Sequence, residues 1–127
     1  MGDHLMSLIK ANDLTNVTGG IPTVKSQQLI PTAWVNFNGV GTIAIRGSEN
    51  ISSLTDQGTG NYIINFTNNM ANSLYCMATG IDEAQDTGAM LSVDSRAVGS
   101  FRALTRNNGT GLSDQQYINV IVLGDQA

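Results

Sequence analysis

The sequence predicts an all-β fold: an antiparallel β-sandwich of about eight short strands, preceded by an extended N-terminal arm. Three observations carry this. Apolar and polar residues alternate in short segments from Ala33 onward. Turn-forming Gly, Asn, Asp and Ser clusters separate those segments at intervals of about 8–12 residues. No segment sustains a helical period.

Residues 1–32 read as the arm and residues 33–127 as the β-domain. The arm holds both prolines of the chain, Pro22 and Pro31, together with Gly19-Gly20 and many Asn, Thr and Gln residues. Proline fixes φ and removes a ladder donor, so an extended course is expected. Leu8, Ile9, Leu14, Ile21, Leu29 and Ile30 are apolar but follow neither a helical nor a strand period. They are the candidate interaction residues, because apolar side chains on an arm need a surface to cover them.

The strands follow in order. Ala33-Trp34-Val35-Asn36-Phe37 sets Ala, Val and Phe on one face and Trp and Asn on the other. Trp34, opposite the core residues, is the further interaction candidate. Asn38-Gly39 is a strong hairpin signal, leading into a strand at residues 42–46. Gly47 to Asn50 read as a turn, residues 51–55 as a short strand, and 56–60 as another turn. In 61–67, Tyr62, Ile64 and Phe66 share a face. Strands are expected at 74–79, 90–93, 101–105 and 117–123, with 80–88 as a loop. The last strand is apolar on both faces, as befits a central strand or one covered on its outer side by another subunit. Cys76, the single cysteine, lies in an apolar run and is expected to be buried.

Only 13% of the residues are charged and the net charge is −4. Its six basic residues are scattered, which argues against nucleic acid as a partner. No apolar run approaches a membrane span, and none resembles a secretory signal, so synthesis in a cytoplasm is expected. A surface so poor in charge suits a protein covered by its partners.

Chemistry-bearing residues are few. His4, the single histidine, sits in the arm near the terminus, whereas a Ser-His-Asp set needs it held rigidly beside a nucleophile. Asp82, Glu83 and Asp86 form the densest acidic group and a weak cation candidate, but their spacing lacks a calcium-loop pattern. Gly39-Val40-Gly41 and Gly58-Thr59-Gly60 open no helix and read as turns rather than phosphate loops. Trp34, Tyr62 and Tyr117 are the residues that would stack on a sugar ring. No catalytic residue, no resident metal and no cofactor is expected.

Two stretches, Ala33-Trp34-Val35-Asn36-Phe37-Asn38-Gly39 and Gly41-Thr42-Ile43-Ala44-Ile45-Arg46, resemble a domain of tailed-bacteriophage virion proteins of the tail-fibre type. The likeness continues through 50–62, 64–66, 70–75 and 118–125. Leu8 to Leu14 resembles the short leaders that precede this domain. The resemblance implies a virion structural protein, a homotrimer, without catalytic residues. It is made in the cytoplasm of an infected bacterial host and joined to other virion proteins through residues 1–32, with a host surface glycan as an additional partner. An arm of this length is short for a long fibre, which brings in a capsid decoration protein as the first alternative. A carbohydrate-binding module is the second.

Overall fold

The computed structural model describes residues 23–24, 27–28, 30–82, 88–108 and 111–127. Its strands are β1 (Thr23–Val24), β2 (Gln27–Gln28), β3 (Ala33–Asn38), β4 (Ala44–Glu49), β5 (Ile51–Asp56) and β6 (Asn61–Phe66). They continue with β7 (Cys76–Asp82), β8 (Met90–Asp94), β9 (Ser100–Asn107), β10 (Gly111–Leu112) and β11 (Tyr117–Leu123). The described residues form no helix, and every pairing is antiparallel.

Two sheets make the sandwich. One runs β4-β3-β11-β7. In the other, β5, β6 and β9 follow in turn, and β9 also pairs with β8 and the short β10. The closing strand β11 thus inserts between β3 and β7, so the first and last strands of the domain share a ladder. Within the expected arm, the described pieces pair as a hairpin, with Thr23 opposite Gln28 and Val24 opposite Gln27.

The expected alternation puts the core where the two sheets face. Ala33, Val35 and Phe37 of β3 and Ile118, Val120 and Val122 of β11 are buried from one side. Tyr62, Ile64 and Phe66 of β6 and Phe101 and Ala103 of β9 are buried from the other. Aromatic edges lock the layers together: Phe37 meets Tyr62 at 5.2 Å between centroids and Phe66 meets Tyr75 at 5.6 Å, both near perpendicular.

Three boundaries differ from the sequence reading, each for a local reason. β4 begins at Ala44 and runs through Gly47 to Glu49, which read as a turn. Asn38 holds the preceding loop by donating from Nδ2 to the Val40 carbonyl at 2.7 Å, and a register shift between Asn36 and Phe37 takes up the offset. The reversal into β5 is made at Asn50, with φ 56°; its Oδ1 accepts from the Asn68 amide at 2.8 Å. β7 begins at Cys76 and continues through Gly80 to Asp82, because β11 is long enough to pair with all of it.

Cys76 is the clearest correction: it is exposed. Tyr75 takes the core position beside Phe66, and its single hydroxyl proton is shared between the carbonyls of Ala97 and Ser100, at 3.0 and 3.1 Å. With Tyr75 turned inward, strand alternation turns Cys76 out. Leu74, just before, is 87% exposed.

Candidate assembly surface

Residues directly opposite in a ladder share a face. The register therefore defines the outer face of the four-stranded sheet row by row. Leu123 stands beside Cys76. Glu49, Trp34, Ile121 and Ala78 form the next row, then Gly47, Asn36, Asn119 and Gly80. Tyr117 and Asp82 lie at the far end.

This face is apolar near the end where the chain enters the sandwich. Trp34 is 40% exposed, Ile121 45% and Leu123 42%. Covering what remains of such side chains contributes about 1 kcal/mol each. The Trp34 indole leans over Gly47, where an added Cβ would lie 3.1 Å from its ring. A depression of about 300 Å³ lies against Trp34, lined also by Pro31, Val35, Asn36, Asn119, Val120 and Ile121. A second, of about 250 Å³, lies across Ile121 and is lined by Ala78, Thr79, Gly80 and Asn119. It exists because small residues on β7 leave Ile121 standing proud. A Cβ built on Gly80 would meet nothing within 4 Å.

Polar groups here are paired or peripheral. Asn36 Nδ2 donates to Asn119 Oδ1 across β3 and β11. The Arg46 guanidinium sits 4.2 Å from the Tyr117 ring centroid and donates to the Gln116 carbonyl. The opposite face of the sandwich is mixed. There Asn65 Nδ2 donates to Ser53 and Thr55 hydroxyls at 3.1 and 3.3 Å. Arg102 grips Asp94 through two hydrogen bonds of 2.6 and 2.7 Å. The same face also exposes Met90 and Leu112 beside Arg106, and Asn61 Oδ1 is buried there without a partner among the described residues.

Of the expected interaction residues, the structure brings Trp34 onto the apolar face and leaves Ile30 exposed beside Pro31 at its border. Leu8, Ile9, Leu14, Ile21 and Leu29 lie outside the described residues. Asp82 closes β7 and is exposed, whereas Glu83 and Asp86 lie outside the described residues. Among the described residues no three His, Cys, Asp or Glu side chains group as metal ligands would.

Tyr62, a stacking candidate by sequence, is fully buried and offers no ring to a sugar. The last strand, expected to be central or covered on its outer side by another subunit, is central, between β3 and β7, and its outward Ile121 and Leu123 are exposed. Ala78 and Gly80 were missed as part of that outer face. Their signal was the run of small residues after Cys76, which keeps strand alternation but has no apolar bulk. No family model, curated protein or solved structure matches the chain.

Proposed function

We propose that this protein is a structural component of a bacteriophage virion, of the tail-fibre type, that acts by assembly rather than catalysis. Residues 1–32 anchor it to other virion proteins, and the β-sandwich is displayed for assembly or host-surface contact. The observation that carries this reading is the apolar outer face of the four-stranded sheet. It is apolar around Trp34, Ile121 and Leu123 and begins where the arm joins the domain. Such a face suits burial inside an assembly. The resemblance of the 33–46 segment to tail-fibre domains supports the setting. Copies associate as homotrimers in this reading.

Immunogold labelling of particles from an infected host tests the position. Gold on the tail is the expected result. Gold confined to the head overturns the tail-fibre reading in favour of a capsid decoration protein.

A further inference from the structure

We propose that the occupant of the apolar sheet face is a further copy of this chain, placed by a threefold axis parallel to the strands, so that the β3–β4 side of one copy meets the β7 side of the next. This rests on the reading of that face as the assembly joint, and it specifies which side chains meet there.

The rows of the face decide which residues can meet. Rotation about an axis along the strands keeps every residue at its own height, so each row of one copy faces the same row of its neighbour, in a head-to-tail contact that closes into a ring. Bulk and space are divided between the two sides. On one side the Trp34 indole leans over Gly47 of β4, toward the sheet edge. On the other, Ala78 and Gly80 of β7 are exposed, and a Cβ on Gly80 would meet nothing within 4 Å. Trp34 and Ala78 share one row, and Gly47 and Gly80 share the next. The rotation therefore carries the indole of one copy to the depression of about 250 Å³ beside Gly80 of the next. Charge is divided in the same way. Arg46 of β4 stands over the Tyr117 ring, and Asp82 of β7 is the ladder partner of Tyr117. The two lie at one height, so Arg46 faces Asp82 of the next copy.

Strand direction agrees. β4 and β7 are the two edges of this sheet. Neighbouring strands alternate in direction across it, so β4 of one copy runs antiparallel to β7 of the next. The ring thus covers both edges as well as the face.

The width of the sheet sets the number of copies. Three sheets about 15 Å wide, with one strand spacing of about 5 Å at each corner, stand about 6 Å from their common axis. That is close to half of the roughly 10 Å between packed sheets, so side chains of the size of Ile121 fill the centre. Four copies would stand about 10 Å from the axis and leave it open. Two copies about the same axis would set β3 over β11, with Trp34 pressed on Ile121, bulk against bulk.

Sedimentation equilibrium and disulfide trapping of the purified full-length chain test this with no other virion protein present. The natural chain is expected to sediment as a trimer. Gly80→Phe fills the depression and is expected to raise the concentration needed for assembly about tenfold or more, with the β-type circular dichroism kept. If Gly80→Phe does not fold, Asp82→Arg, at the exposed end of β7, gives the same reading through the contact with Arg46. Trapping uses a Cys76→Ser background, since Cys76 is exposed on the same face. Glu49→Cys with Ala78→Cys places one thiol on each edge strand in the Trp34 row. That chain is expected to give linked dimers and trimers on a non-reducing gel and nothing larger, whereas either cysteine alone gives no linked product. A monomer at every concentration overturns the proposal, and so does unchanged assembly in both Gly80→Phe and Asp82→Arg. Single-cysteine chains that link as well as the double overturn it too, and identify a contact between like sides. A monomer in solution leaves the place of the protein in a particle to the gold labelling, and absence from particles leaves the trimer standing.

Discussion

Tyr62 and Asp114 tie the start of β6 to the segment that leads into β11: the buried Tyr62 hydroxyl donates to Asp114 Oδ1 at 2.7 Å, and the same oxygen accepts from the Gly60 amide at 2.6 Å. The Tyr62 hydroxyl also lies 3.1 Å from the Gly39 carbonyl oxygen. Two glycines make this possible. A Cβ on Gly39 would fall 2.4 Å from the Tyr62 hydroxyl, and Gly60 has φ +62° with the Thr105 carbonyl close by. Tyr62→Phe leaves Asp114 short of a donor and is expected to cost about 1–2 kcal/mol in urea unfolding.

The same pair sets an alkaline limit. Burial, and then the hydrogen bond and charge of Asp114, push the Tyr62 hydroxyl well above its ordinary value of 10.0. The unfolded chain therefore ionises this group first as pH rises. Its contribution to stability is complete below pH 10 and declines above it. Unfolding measured from pH 8 to 11.5 shows a falling midpoint in the natural protein, with a shallower fall in Tyr62→Phe. Parallel curves contradict the assignment.

Gln115 is fully buried, and neither polar atom of its side chain has a partner among the described residues. Its backbone is well used, since its carbonyl accepts from the Gly39 amide at 2.9 Å. An unsatisfied buried amide costs about 1–3 kcal/mol. Gln115→Met, which keeps length and volume, is therefore expected to raise the thermal midpoint. A lower midpoint means that an internal water satisfies the amide, and a high-resolution crystal structure then shows it.

Trp34→Asp separates folding from assembly. The side chain is outside the core, so thermal unfolding changes little. Incorporation into particles is expected to fall severalfold, because the charge meets an apolar joint. An unchanged yield of particle-bound protein removes this face from the assembly account.

The Asp94–Arg102 pair offers a contrast. The arginine holds the Asp94 carboxyl below its ordinary 3.8. That contribution is present above about pH 4 and lost as pH falls below it. Both side chains are partly exposed, and screening keeps the effect small. Asp94→Asn is expected to leave the thermal midpoint at neutral pH nearly unchanged.

The fold was legible wherever alternation met a full strand. Val35, Phe37, Tyr62, Ile64 and Phe66 all face inward as the period of two requires. Turns were less legible, because side chains decide them. Asn38 extends the β3–β4 loop by bonding to the Val40 carbonyl, and Asn50 completes a reversal by holding Asn68. Cys76 was misjudged because composition marks 74–78 as apolar while phase decides its direction. That phase is set by Tyr75 packing on Phe66, a contact between distant parts of the chain. Trp34 was legible as an outward residue. The depressions beside Ile121 were not, since they depend on which strand pairs with β11 and how small its residues are.

The central claim is that this protein is built into a particle. Quantitative mass spectrometry of gradient-purified virions tests it most directly. The account predicts this chain at a fixed ratio to the tail proteins through successive gradients. Recovery only in the soluble fraction of the lysate, with none in the particles, contradicts it.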